Sequence, residues 1–181
     1  MRSIVLLLSE GRCRSTLSIN LALDTPRMNP LIRTIKYLEK LVELNLAFNK
    51  LDDVGTAELC SSLMTLRSLR NLNLSNNRLT SKSMEMLCGV MLPSLITLNL
   101  SFNLLGDASI PTIISFCRRQ LASIEEINLS CCLLTSRAWS ENEKSWEYLM
   151  QERPSLKSID LTLNHIKIQR KRQYTANVVV W

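Results

Sequence analysis

Glycine, histidine and aromatic residues are all scarce in this chain of 181 residues, which has 4 glycines, 1 histidine and 5% aromatics. No glycine-rich phosphate loop, HExxH motif or CxxC pair occurs, so neither a nucleotide site nor a metal centre is indicated. The histidine, His165, has no implied nucleophile or carboxylate partner, and we expect an exposed turn residue there. We therefore predict a protein that is not an enzyme and needs no cofactor or metal.

Long hydrophobic runs are also missing. The apolar run at 4–8 is shorter than the core of a signal peptide, and no small-residue cleavage site follows it directly. No other run approaches the length of a membrane span, so we expect neither secretion nor membrane insertion. The 6 cysteines fall mainly in apolar segments and are interpreted as free thiols that pack as small hydrophobic side chains. This pattern favours a reducing compartment, the nucleus or the cytoplasm.

The formal net charge of +6 is concentrated near the C-terminus, where Lys167, Arg170, Lys171 and Arg172 lie close together. The rest of the chain is almost neutral, so we expect no direct nucleic-acid binding by its body. The segment KIQRKRQ at 167–173 has two readings that the sequence leaves open. It is either a nuclear localisation or acidic-partner segment, or a solvated tail.

Leucine is abundant and recurs in one template, L-x-x-L-x-L-x-x-N-x-L. Five copies begin at Leu41, Leu69, Leu95, Ile124 and Leu156, with spacings of 28, 26, 29 and 32 residues. A weaker copy lies upstream, where Ile19, Leu21 and Asp24 match the fourth, sixth and ninth positions. Such repetition is typical of stacked units that each bury the same small apolar pocket against their neighbours.

The L-x-L part of the template alternates apolar and polar residues, which predicts a strand with one buried face. Strands from successive repeats should pair in parallel. The ninth position follows where the chain leaves the strand, and a side-chain amide there can satisfy backbone groups that have lost their ladder partners. We therefore predict a buried structural ladder of Asn49, Asn77, Asn103, Cys132 and Asn164.

Between the strands the apolar period changes to that of a helix. The expected fold is an α/β leucine-rich-repeat horseshoe, a solenoid with parallel strands on the concave face and helices on the convex face. Its expected organisation is an irregular N-terminal segment or partial repeat at 1–15, a repeat domain of one degenerate and five clear repeats at 16–166, and a basic then apolar tail at 167–181.

The outward residues of the strands are the usual binding surface of this architecture. The predicted protein-binding residues are Glu43, Asn45, Phe48, Asn71, Asn73, Asn76, Thr97, Asn99, Phe102, Glu126, Asn128 and Asp160. Two alternatives stay open. The asparagines can be simple hydrophilic strand surface, and the two phenylalanines can pack at the start of the following loop rather than meet a partner.

The template resembles the leucine-rich repeat family in its longer, ribonuclease-inhibitor-like form. Beyond the leucines, the order of spacings is similar to the C-terminal repeat domain of Tonsoku-like proteins. The matching stretches are INLALD, PLIRTIKYLEKLVELNLAFNKLDD, GTAELCSSLMTLRSLRNLNLSNNRL and LNLSFNLLGDASI, followed by a lengthened repeat between Cys132 and Leu156. After Ile166 the sequence departs from the family pattern.

This resemblance implies a nuclear scaffold that supports repair of stalled or broken replication forks by homologous recombination. The partners it implies are recombination and fork-repair proteins, including the strand-exchange recombinase. The alternative is a cytoplasmic binder or sensor like ribonuclease inhibitor. An inhibitor of a basic nuclease should present an acidic concave face. The predicted face is mostly neutral, with Glu43, Glu126 and Asp160 as its acidic residues, which weakens this alternative.

Overall fold

The computed structural model describes residues 15–119, 123–152, 155–167 and 178–179. Expectations for residues 1–14 and for most of the tail at 167–181 concern residues outside these ranges.

The described strands form one parallel sheet of seven short strands in chain order. In the first six the central residue is leucine or isoleucine, and these residues lie opposite one another from strand to strand. Their side chains are buried because alternation along a strand sends them to the interior while their neighbours face outward. The strands are β1 Thr16–Ser18, β2 Glu43–Asn45, β3 Asn71–Asn73, β4 Thr97–Asn99, β5 Glu126–Asn128, β6 Ser158–Asp160 and β7 Val178–Val179.

A helix follows each of the first four strands, and two follow the fifth. They are α1 Thr25–Ile35, α2 Asp53–Leu63, α3 Ser81–Cys88, α4 Ile110–Arg119, α5 Ser136–Ser140 and α6 Glu143–Glu152, with a short 3-10 turn at Asp107–Ser109. Four of them begin at a side-chain cap that accepts a backbone N–H of the first turn, as is usual for Asp and Thr at this position. These caps are Asp24, Asp52, Thr80 and Thr135.

The core lies between the sheet and the helix layer. Four leucines that directly follow strands β2 to β5 are fully buried and belong to one continuous apolar cluster with the inner faces of the helices. They are Leu46, Leu74, Leu100 and Leu129. Packed helices need about 8–10 Å between axes, whereas paired strands need about 4.8 Å. The stack must therefore curve with the strands on its inner side. This arrangement confirms the α/β leucine-rich-repeat solenoid.

The first strand exists, but the predicted alignment of its residues was wrong by two positions. Leu17 pairs with Leu44 and so occupies the fourth template position, which had been given to Ile19. Leu21, expected to be a framework residue, is exposed, and Asp24 caps α1 instead of standing in the asparagine ladder. Leu23 is the counterpart of Leu51 in the next coil, because both donate a backbone N–H to a ladder asparagine. Between its strand and this position the first coil has one residue fewer than the next coil. The template therefore cannot be matched there without a gap.

Two features distinguish the C-terminal half. The lengthened repeat holds α5 and α6 together through Trp139 and Trp146, whose rings stack with centroids 6.2 Å apart. Val178 and Val179 pair in parallel with Ile159 and Asp160 and extend the sheet by a seventh strand. That strand belongs to the segment that fits no repeat in the sequence.

A candidate protein-binding surface

The concave side of the sheet is a polar groove of about 580 Å³. Nine of the predicted contact residues line it together: Glu43, Asn45, Asn71, Asn73, Thr97, Asn99, Glu126, Asn128 and Asp160. Thr16, Ser18 and Ser158 also line it. Thr16 and Ser18 were missed because the predicted binding surface did not include the degenerate first strand. Phe48, Asn76 and Phe102 are not part of the groove.

One row of side chains in the groove binds backbone N–H groups just beyond the strands. The side-chain oxygens of Asn45, Asn73, Asn99, Asn128 and Asp160 each accept the backbone N–H two residues further along, at 2.9–3.0 Å. A carboxylate and an amide oxygen serve this turn equally, which explains why aspartate replaces asparagine in β6. The four amide nitrogens make no hydrogen bond within the described part of the chain. They are therefore available as donors to a partner.

A second row is joined sideways across four strands. Thr16 and Asn71 both donate to the Glu43 carboxylate, at 3.3 and 3.2 Å, and Thr97 donates to the side-chain oxygen of Asn71 at 2.9 Å. These bonds orient the outward side chains before any partner arrives. Such preorganisation lowers the entropic cost of binding.

The charge of the groove has one sign. Glu43, Glu126 and Asp160 supply three carboxylates, and no lysine or arginine is among the lining residues. Lys157 lies outside the lining and is already paired, with Nζ 2.6 Å from the Glu125 carboxylate, and this hydrogen bond raises the pKa of Lys157. The groove therefore offers amide donors and negative charge to a bound molecule.

Beyond the groove, each coil leaves the sheet through a residue in the left-handed backbone conformation. We call this the exit edge. Its first row, one residue before the ladder position, is Phe48, Asn76, Phe102, Cys131 and Leu163, with φ between 52° and 56°. Its second row, one residue after the ladder position, is Lys50, Arg78, Leu104, Leu133 and His165. Phe48 and Phe102, predicted as contact residues, are 60% and 48% exposed here.

Between these two rows runs the asparagine ladder. The ladder asparagines each direct the two N–H groups of Nδ2 at three carbonyl oxygens, one of them in the preceding coil, and accept a backbone N–H of that preceding coil. They are Asn49, Asn77, Asn103 and Asn164. The first three are buried, while Asn164 is half-buried. Each amide therefore joins two coils and closes its own turn.

Cys132 occupies the remaining ladder position with a thiol. Its Sγ donates to the carbonyl oxygens of Leu100 at 3.2 Å and Ser130 at 3.5 Å, so it keeps a donor to the preceding coil. Sulfur is a weak acceptor and offers little to the backbone N–H of that coil. Burial raises the pKa of the Cys132 thiol to about 12, which keeps it neutral and unreactive at physiological pH.

Other kinds of site find little support in the described ranges. They contain no cluster of three or more His, Cys, Asp or Glu able to hold a metal ion. None of their helices has the length and apolar character required to cross a bilayer. His165 is exposed at the end of a coil, and its backbone N–H donates to the carbonyl oxygen of Leu134.

Comparison with protein families locates two leucine-rich repeats. One family model, "Leucine Rich Repeat", matches residues 68–90, and a second, "Leucine Rich repeat", matches residues 37–60. Both matches run from the end of a helix or its following loop, through a strand, into the next helix. They coincide with two of the five coils recognised in the sequence.

Among curated proteins, the chain is similar to Tonsoku-like protein from Danio rerio, with 28% identity over 154 residues, and from Mus musculus, with 30% over 150 residues. Each match covers 80% of the chain but only 10% and 11% of the relative, so the chain spans about a tenth of their length. Ribonuclease inhibitor from Mus musculus is 30% identical over 137 residues, covering 74% of the chain and 29% of the inhibitor.

Two solved structures share the fold. A leiomodin-1 actin-binding site 2 structure superposes with a TM-score of 0.50 and 12% identity, covering 92% of this chain and 79% of that one. A chain of the yeast Rad7–Elc1 complex gives 0.51 and 17%, covering 83% of this chain and 43% of that one. Repeat solenoids of this type are typically interaction modules rather than enzymes. The chain is thus a leucine-rich repeat protein similar to the Tonsoku-like proteins.

Proposed function

We propose that this chain is a protein-binding module, a part of a Tonsoku-like scaffold that acts in the nucleus in replication-fork and double-strand-break repair by homologous recombination. The observation that carries the binding role is the preorganised groove, in which four strands present amide N–H donors that the protein itself does not use. The similarity to Tonsoku-like proteins over 80% of the chain supports the repair context.

The groove suits a polypeptide better than a small molecule. It is open and extends across six strands, and its polar groups repeat at the spacing of the strands, about 4.8 Å. A partner can therefore meet the same donor several times along its length. Small-ligand pockets are instead enclosed and mostly apolar.

A conservative pair of substitutions tests the groove. Asn73→Asp with Asn99→Asp keeps the oxygen that caps the following backbone N–H, as Asp160 shows, but removes two amide donors. We expect an unchanged fold by circular dichroism and at least a tenfold loss of affinity for the protein partner. Lys82→Ala on the exposed side of α3 is the matched surface control.

The repair context has its own test. The chain is immobilised and incubated with nuclear extract, and the bound fraction is probed for the strand-exchange recombinase and for replication-fork proteins. We expect their recovery by the native chain and its loss with the Asn73→Asp, Asn99→Asp variant. Recovery of cytoplasmic ligase or ribonuclease components alone would refute the repair assignment while leaving a protein-binding module in place.

A second candidate function rests on the charge of the groove. Three carboxylates and no cationic lining residue would suit a basic ribonuclease, and ribonuclease inhibitor is among the relatives. This reading places the protein in the cytoplasm. Calorimetric titration with a pancreatic-type ribonuclease at low and high salt separates the two, since only the second candidate predicts tight, salt-sensitive binding.

A further inference from the structure

The exit edge carries half of the large apolar side chains that are exposed in the described part of the chain. Of ten large apolar side chains that are exposed, five stand in its two rows: Phe48, Phe102, Leu104, Leu133 and Leu163. Leu21, which follows β1, is a sixth. Soluble proteins rarely gather such side chains in one place without a binding role. The groove beside this edge is polar, so the two surfaces differ in chemistry.

The apolar side chains of the exit edge are close neighbours. The backbone N–H of Phe102 donates to Ser130 at 2.9 Å, and that of Cys131 donates to Thr162 at 3.0 Å. These bonds hold successive coils in lateral register, at the strand spacing of about 4.8 Å. Phe102 and Leu163 are therefore separated by only two strand spacings, with Cys131 between them. Leu104 and Leu133 form the adjacent row.

The backbone of this edge is unfavourable for the residues that occupy it. Phe48, Phe102, Leu133 and Leu163 all have φ between 55° and 61°, a region in which bulky side chains are strained. Asn76 adopts the same conformation with a residue type that tolerates it. Burial does not explain the bulky residues, since their side chains are about half exposed or more. The fold requires this backbone conformation in every coil, but it does not require a bulky side chain there. Strained residues of this kind cluster at functional surfaces.

Charges on this edge are positive. Lys50 and Arg78 stand in its second row, and neither forms an ion pair with any described residue. The nearby aspartates have other partners. Asp24, whose backbone forms a bridge with that of Lys50, pairs with Arg27 at 3.9 Å. Asp52 accepts from Thr25 and Gly55, Asp53 accepts from Thr80 and Ser83, and Asp107 accepts from Thr135.

We propose that the exit edge is a docking surface for an acidic, amphipathic segment of another polypeptide. Apolar side chains of the segment pack on Phe102, Leu104, Leu133 and Leu163, and its carboxylates pair with Lys50 and Arg78. This inference rests on the proposed role as a protein-binding module and not on the repair context. Three of these four apolar side chains are leucines, which offer no stacking surface to bases, so a polypeptide suits the surface better than single-stranded nucleic acid.

The probe is a phage-displayed library of random 16-residue peptides selected on the folded chain. We expect the enriched peptides to combine Asp or Glu with Leu, Ile, Phe or Trp. A synthetic peptide from the enriched set is then titrated by fluorescence anisotropy. Affinity should fall at least tenfold in Phe102→Asn with Leu163→Asn, which copies the residue type already accepted at position 76. It should also fall at least threefold in Lys50→Glu with Arg78→Glu.

Two further variants sharpen the test. Asn76→Phe fills the gap between Phe48 and Phe102 and should raise affinity about threefold. Tyr37→Ser with Val54→Ser removes equally exposed apolar side chains from the helical side and should leave affinity unchanged. Thermal unfolding of every variant shows that the fold persists.

The proposal is overturned if the enriched peptides are basic, if their binding survives in the exit-edge variants, or if no peptide is enriched. Binding that is lost only in Asn73→Asp with Asn99→Asp would place the contact in the groove, so the binding module would stand while the exit-edge proposal fails. Co-sedimentation with phosphatidylserine vesicles that depends on Phe102 and Leu163, without peptide binding, would instead identify a membrane surface and refute the proposal.

Discussion

The side-chain oxygen of Asn77 accepts the backbone N–H of Leu51, 26 residues earlier in the chain, at 3.0 Å. The same amide donates to carbonyl oxygens of both coils through Nδ2. One polar side chain thereby satisfies four backbone groups in a region where the strand ladder has ended. Its removal leaves the buried N–H of Leu51 without a partner. The three carbonyl oxygens each lose one bond but keep another, from Asn49 Nδ2, Asn103 Nδ2 and the Phe48 N–H.

Asn77→Ala should therefore lower the free energy of unfolding by about 2–4 kcal/mol, since the buried N–H of Leu51 loses its only partner and three carbonyl oxygens each lose one bond. Asn73→Ala is the matched control, because Asn73 makes one bond to the Ser75 N–H and is only half-buried. It should cost about 1 kcal/mol. Urea denaturation measures both, and equal losses would contradict the role given to the ladder.

Cys132→Asn should raise the free energy of unfolding by about 1 kcal/mol. The thiol bonds to Leu100 and Ser130 but offers no oxygen to the backbone N–H of Leu105, the counterpart of Leu79 and Leu51 in the other coils. An asparagine restores that acceptor. Urea denaturation at pH 7 gives the comparison, and a variant that unfolds at lower urea would argue that the site is shaped for sulfur.

The stability of the native protein and that of Cys132→Asn should depend differently on pH, because burial raises the pKa of the folded Cys132 thiol to about 12. In the unfolded chain a thiol titrates near pH 8.5. The contribution of the protonated thiol is complete below about pH 8.5 and is lost as the pH rises toward 12. Between pH 9 and 10, native protein should thus lose up to about 1.4 kcal/mol per pH unit more than Cys132→Asn does. Parallel stability curves would exclude this linkage.

Gly55→Ala should destabilise the protein by about 1–3 kcal/mol although alanine is the better helix former. A Cβ at position 55 would lie 2.5 Å from Leu51 Cδ1 and 2.8 Å from Thr25 Oγ1, so overpacking between coils exceeds the gain in helix propensity. At Gly89 the nearest atom is the Met86 carbonyl oxygen at 3.2 Å. Gly89→Ala should change stability by less than about 1 kcal/mol, and chemical denaturation of both proteins checks the contrast.

Leu163→Asn should leave the free energy of unfolding unchanged or raise it by up to about 1 kcal/mol. The side chain is 68% exposed and its φ is 56°, so little burial is lost and backbone strain is relieved. Leu161→Asn, two residues earlier and 2% exposed, should cost at least about 3 kcal/mol. Similar melting temperatures for the two variants would show that position 163 supports the core.

The regular part of the fold could be predicted because two periods occur together: the two-residue alternation of a strand and the recurrence of the whole template. Alternation around Leu44 and Leu46 identifies a strand, and the recurrence of that pattern predicts parallel stacking. Where the pattern weakens, the prediction was wrong. In the first coil Leu17, Ile19 and Leu21 all alternate with other residues, and only the pairing of Leu17 with Leu44 shows where the template begins in this series.

The candidate site was predicted in part. Outward strand positions such as Asn73 and Asn99 follow from the same alternation, and the groove contains them. Phe48 and Phe102 lie at the exit edge and not in the groove, because the chain has already left the sheet there and adopts the left-handed backbone conformation. The capping role of Asn45 could have been inferred from its position at the end of a strand. Asparagine there commonly accepts the backbone N–H two residues further along, which is that of Ala47.

The sequence by itself determined the solenoid, because each repeat carries a hydrophobic face that can only be buried against another copy of itself. It also determined which residues point outward along each strand. Only the tertiary structure decided that the amide oxygens of the groove asparagines already accept backbone N–H groups, and that apolar side chains collect at the exit edge. Those properties depend on how coils about 28 residues apart in sequence hydrogen-bond to one another and on which side chains they leave exposed. A local sequence pattern does not encode these relationships.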